Sequence, residues 1–162
     1  MAVSEEKILV SVNYKLDKFT QDWRHCGFSA NYLAQLVSSC STDPTKFFIT
    51  LSTVINELLE VIYYIQDDTN HLKIDVKILN NNLIIDFVLI LAEEQQQIFD
   101  EFFKKIANES AEKIYLSEMK RLQKGEDAHP FIGLFEIMAD YNVQLVQRTV
   151  LNKNVLTMTL SL

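Results

Sequence analysis

The residues best able to do chemistry lie in one short run, Ile55–Tyr64, INELLEVIYY. Glu57 supplies a carboxylate, with an amide beside it at Asn56 and a second acid at Glu60. Position 61 lies one helical turn beyond Glu57, so the two side chains project into the same space. A carboxylate so placed could orient a water or a hydroxyl nucleophile as a general base, and an amide at position 61 would add a hard oxygen ligand for Mg²⁺. The residue at 61 is valine, which offers no oxygen.

That chemistry requires a helix to hold it. Asp43 fits an N-cap and Pro44 the first helical position, where its missing N–H costs nothing. A long helix is therefore predicted from about Pro44 to about Gln66. At about 100° per residue, Phe48, Leu51, Ile55, Leu58, Leu59 and Ile62 form a core stripe. Thr50, Thr53, Glu57 and Tyr64 fall on a second stripe, Val61 lies between the two, and Asn56 and Glu60 face further towards solvent. In one reading Glu57 is a solvated edge residue and Val61 widens the apolar stripe. In the other the second stripe lines a nucleotide pocket beneath a lid.

The remaining pattern supplies the scaffold. Ile8–Tyr14 alternates as a strand, Ser29–Ser38 reads as a helix, and Leu72–Leu79 and Leu83–Leu91 read as a hairpin turning at Asn80–Asn82. A helix opening at Glu93 places Ile98, Phe99, Phe102, Phe103 and Ile106 on an inner face. Tyr115–Gln123 and Ile132–Tyr141 are further helices separated by KGEDAHP. Val143–Val150 and Val155–Leu162 form a closing hairpin around Asn152–Asn154. Segregated hairpins and helices predict an α+β fold in one domain over 1–162, a two-layer sandwich with helices on one face of a mostly antiparallel sheet.

Composition excludes several functions. A formal charge of −7 and a pI near 4.9 give no basic footprint for nucleic acid. The glycines, 3 in all, are too few and too dispersed for a glycine-rich phosphate cradle. Cys26, Cys40, His25, His71 and His129 lack zinc-site spacing, so no metal centre is expected. The two thiols read as packed hydrophobes, and no signal peptide is evident. No apolar run reaches the roughly 20 residues of a membrane helix; the strongest, Leu83–Ala92, is broken by Asp86. A cytoplasmic protein without a membrane segment is the expectation.

Four segments, WRHCGFSANYLAQL (Trp23–Leu36), TVINELLE (Thr53–Glu60), GLFEIMADYNVQL (Gly133–Leu145) and the closing LTMTLSL, occur in an order that resembles a family of small bacterial signalling regulators prominent in cyanobacteria. That family is similar to the GHKL ATP-binding fold of histidine kinases and anti-sigma-factor serine kinases. The resemblance runs from about Trp23 to Leu162 and implies a Bergerat-type sandwich with a mixed sheet. It also implies that the long helix carries the N-box, in which a general-base glutamate precedes an Mg²⁺-ligating asparagine by four positions. Glu57 matches the glutamate, and Val61 stands at the asparagine position. Phe131 occupies the first glycine position of the glycine-containing box and Gly133 the second. No DxGxG adenine box follows the first hairpin, where the sequence is FVLILAEEQQ.

On this basis the degenerate nucleotide pocket comprises Glu57, as a vestigial base, with Asn56, Glu60, Val61 and Gly133. The resemblance implies a regulatory module that binds another signalling protein, such as a STAS-like anti-sigma antagonist domain, with no cofactor retained; a homodimer is left open. One competing expectation is an active ATP- and Mg²⁺-dependent serine/threonine kinase. Another is a structural or oligomerisation domain using the Phe-rich helix, Phe99–Ile106. Lys120, Arg121 and Lys124 read as solvated, His129 as a surface loop histidine, and Asp86 as an outward-facing strand residue.

Overall fold

The computed structural model describes residues 7–16, 21–65, 71–80, 82–127, 129–151 and 153–161, excepting the side chains of Lys7 and Ser161. Its elements follow the order β1 (Lys7–Lys15), α1 (Arg24–Val37), a 3-10 turn (Ser38–Cys40), α2 (Pro44–Ile65), β2 (His71–Leu79), β3 (Asn82–Leu89), α3 (Glu93–Asn108), α4 (Ala111–Gln123), α5 (Ile132–Tyr141), β4 (Gln144–Val150) and β5 (Lys153–Ser161). The expected positions Asn81, Asn152, Gln66 and Leu162 lie outside the described residues.

The strands form one five-stranded sheet in the order β1-β2-β3-β5-β4, and all four ladders are antiparallel. This corrects the expectation of a mixed sheet. Alternation decides which face is covered. Val10, Val76, Ile85, Met158 and Leu145 form one cross-sheet row, and all join the core shared with the helices.

The next row, Ser11–Asp75–Asp86–Thr157–Val146, points to the opposite face. Asp86 does face outward, yet it is only 5% exposed. Lys77 at 3.0 Å and Arg148 at 3.2 Å pair with its carboxylate, and the Thr157 hydroxyl donates to it at 2.5 Å. Long cationic side chains from β2, beside it, and from β4, two strands away, cover an acid that strand alternation assigns to solvent.

At the start of α2, Asp43 Oδ1 accepts the Lys46 backbone N–H at 3.2 Å, the capping bond its position predicts. At the other end, Gln95 Oε1 accepts the Ala92 N–H at 2.8 Å while its Nε2 donates to the Ile65 carbonyl at 2.7 Å. One amide thus satisfies the start of α3 and the end of α2. Among the described helices, α2 is long and apolar enough to cross a membrane, with a mean hydropathy of 1.4 over its most apolar stretch, so an apolar segment of membrane-helix length exists where none was expected. Its Leu51, Val54, Ile55, Leu59 and Ile62 are 0% exposed and lie in the core.

The inward face of α3 is narrower than its periodicity suggested. Phe99 and Phe102 are buried, Phe103 and Ile106 are half-buried, and Ile98 is 40% exposed. The aromatic side chains of this helix therefore face the core, which leaves little of them for the oligomerisation surface considered above.

Candidate functional site

Glu57, Val61 and Gly133 meet in a cleft of about 320 Å³. One wall is α2, contributing Glu57, Glu60, Val61, Tyr63 and Tyr64; the others are Trp23 at the head of α1 and the segment Pro130–Gly133 entering α5. Of the residues assigned to the degenerate pocket, only Asn56 is absent from the lining; Thr50 and Thr53 of the second stripe do not reach it either. The Asn56 Nδ2 donates to Glu60 Oε1 at 2.6 Å, and its Oδ1 lies towards Gly27 of α1. Asn56 and Glu60 are half-buried rather than solvent-directed, because α1 packs along that side of α2.

Val61 is 5% exposed and belongs to the core, widening the apolar stripe at the place of the metal ligand. Gly133 serves a steric purpose. A Cβ there would stand 1.7 Å from Glu57 Oε2 and 2.7 Å from Cδ. The residue sits in the first turn of α5, so close approach of the carboxylate, rather than an unusual backbone conformation, requires glycine.

The electrostatics of the cleft are acidic. Burial pushes the Glu57 carboxyl above its ordinary value, and the negative charges of Glu60 and Glu136 push it further. Among the described residues, no hydrogen bond or ion pair reaches that carboxylate, and no Lys, Arg or His lines the cleft. Nearby Arg24 is already held by Asp22 at 2.6 Å. Cys26 is a buried free thiol, pushed up to about 12 by burial and by Glu60, while Cys40 is exposed.

Phe131 does not leave an open backbone at the first glycine position. It is 1% exposed, with its ring 5.5 Å from Phe99 and 5.0 Å edge-on from Phe102. Phe102 lies 5.2 Å from Phe135. His129 is half-buried against this cluster, 5.3 Å from the Phe135 ring, and its Nδ1 accepts the Phe131 N–H at 3.1 Å. It is therefore a packed residue rather than a surface one, and burial, then Lys105, push its pKa down. Beside it Glu118, 3% exposed, pairs with Lys105 and Arg121, each at 2.9 Å. Arg121 also binds Glu126 at 2.7 Å, so it is committed within α4 and its following turn, whereas Lys120 and Lys124 are exposed.

Beyond the residues assigned to the pocket, the lining takes in Tyr63 and Tyr64 of α2, Trp23, Pro130 and Ile132. Tyr64 shares the Glu57 stripe on the helical wheel, and that spacing was its only sequence signal. Trp23 lies outside the periodic helical pattern, and only packing brings it to Glu60.

No family model matches the sequence, and no curated protein matches it. Among solved structures, a chain in the crystal structure of the SiaB-SiaC complex from Pseudomonas aeruginosa is similar over 94% of this chain and 89% of that one. The TM-score is 0.51 and the identity 10%, a likeness of fold.

Proposed function

We propose that this chain is a single-domain, degenerate GHKL-like regulatory module of bacterial signalling that works by binding another protein, with Mg·ATP binding lost or weak. The observation that carries this reading is the cleft itself. Glu57 keeps the base position, but Val61 is turned into the core and the carboxylate is surrounded by further acids rather than cations. Phosphoryl transfer depends on neutralising the triphosphate's charge, and an acidic cleft without a ligand at position 61 opposes that. The likeness to a chain crystallised with a protein partner supports a protein-binding role; a STAS-like domain is the partner class the sequence resemblance suggests. Fold alone does not carry function, so the test is direct. Calorimetric titration with ATP, with and without Mg²⁺, is expected to show no Mg²⁺-dependent heat; a saturable Mg²⁺-dependent isotherm would refute the reading.

One observation favours an active serine/threonine kinase. Glu57 lies in a cleft with its carboxyl pushed up, the direction that improves a general base near neutral pH. That reading requires phosphate transfer from Mg·ATP to a partner hydroxyl, abolished by Glu57→Gln.

A further inference from the structure

The cleft walls combine two features that recognise the same chemistry. Glu57 and Glu60 present carboxylates without a cationic counterpart in the lining, while Trp23 and Tyr64 are left 62% and 70% exposed at its rim. Aromatic faces carry negative quadrupoles that attract ammonium and guanidinium groups, and adjacent carboxylates reinforce the attraction. A phosphate would meet the opposite potential. We infer that this cleft receives a lysine or arginine side chain of a partner protein, seated between the Trp23 and Tyr64 rings and the Glu57 and Glu60 carboxylates.

The surrounding surface favours a protein side chain over a free amine. Along α1, Phe28, Tyr32 and Leu36 follow one another at four-residue spacing and are 69%, 57% and 44% exposed. That spacing places them on one stripe, on the same helix whose N-terminal end brings Trp23 to the cleft. Exposed aromatic stripes of this kind mark interaction surfaces, and Trp, Tyr and Arg dominate interface energetics. The partner surface that fits offers a basic side chain beside an apolar strip. This inference rests on the reading that the cleft has ceased to hold Mg·ATP.

Trp23 is the only tryptophan, so its fluorescence reports occupancy directly. The protein is titrated at constant ionic strength with N-acetyl-arginine amide, with its uncharged isostere N-acetyl-citrulline amide, with spermidine and with Mg·ATP. The arginine derivative is expected to give a saturable change in the millimolar range, and the citrulline derivative none. Glu60→Gln and Glu57→Gln should each weaken the arginine response by about fivefold, with thermal melts confirming that both variants are folded. Equal responses to arginine and citrulline, or responses unchanged in both variants, would overturn the inference. A response to spermidine tighter than to arginine by more than its extra charges explain would overturn the assignment to a protein side chain. An Mg²⁺-dependent response to ATP would instead sink the proposed function, whatever the cation titrations show. Independently, Phe28→Ser/Tyr32→Ser should leave the arginine response intact, because those residues lie outside the cleft.

Discussion

The contact between Glu57 and Gly133 can be measured by a double-mutant cycle. Ordinary contact begins near 3.4 Å, and a Cβ at position 133 would be 1.7 Å from Oε2, so the carboxylate oxygen must withdraw by about 1.7 Å in Gly133→Ala. The obstructing atoms belong to the end of a flexible side chain, so the variant folds. Relieving a helical glycine contributes about 0.5–1 kcal/mol, and forcing Glu57 from its preferred rotamer costs about 0.5–1.5 kcal/mol. These largely offset, and Gly133→Ala alone should fall between a gain of about 0.5 and a loss of about 1 kcal/mol. In a Glu57→Ala background the steric cost disappears, and the same substitution should stabilise by about 0.5–1 kcal/mol. Urea unfolding of the four proteins, with equal m values, gives the coupling as the difference between the two effects. If Gly133→Ala stabilises both backgrounds equally, the carboxylate does not rest against α5 and the site geometry described above is wrong.

Val61→Asn should destabilise by about 1–3 kcal/mol, because it places an amide where 5% exposure leaves little water. It should restore little Mg·ATP binding by calorimetry, since Phe131 still fills the first glycine position; strong binding would show that position 61 was the principal defect. For Glu57 the folded carboxyl lies above its ordinary value of 4.5, so ionisation opposes folding. The penalty is absent below pH 4.5, appears as pH rises and is complete above the folded pKa. Glu57→Gln should therefore raise the urea midpoint relative to wild type at pH 7.5 but not at pH 4. Glu118 behaves oppositely: burial pushes its pKa up, but the Lys105 hydrogen bond and the charges of Lys105, Arg121 and His129 hold it below 4.5. Its stabilisation is present above that value and lost as pH falls through the folded pKa. Glu118→Gln should cost about 1–3 kcal/mol at pH 7, less than a fully buried pair because Lys105 and Arg121 retain 37% and 45% exposure. The deficit should shrink in acid unfolding curves.

Elements whose signal is local were legible from the chain. Helix α2 follows from Asp43, Pro44 and the Leu51–Ile62 periodicity, and its observed limits, Pro44–Ile65, agree closely. The two hairpins follow from alternation, and Asn80 in the first turn adopts a φ of 50°; in the second, Lys153 and Asn154 already belong to β5 and the left-handed residue is Leu151, with a φ of 48°. Where burial depends on partners distant in sequence, the same reasoning failed. Ile98 has helical spacing suitable for an inner face, yet the core offers α3 only a narrow contact, which Phe99 and Phe102 occupy.

By itself the sequence determined the α+β class, the helix that carries Glu57, and the placement of Val61 beside that carboxylate on the apolar side, because these depend on residue type and on spacings of one or two turns. Tertiary structure decided the all-antiparallel strand order, the burial of Asp86 beneath Lys77 and Arg148, and the enclosure of Glu57 by Gly133, Trp23 and Tyr64. Asp86 with Arg148, and Glu57 with Gly133 and Trp23, join residues tens of positions apart, and a short pattern holds no record of which distant side chain will arrive. The sequence placed a carboxylate on a helix; the packing of α1 and α5 around it made an acidic, aromatic cleft.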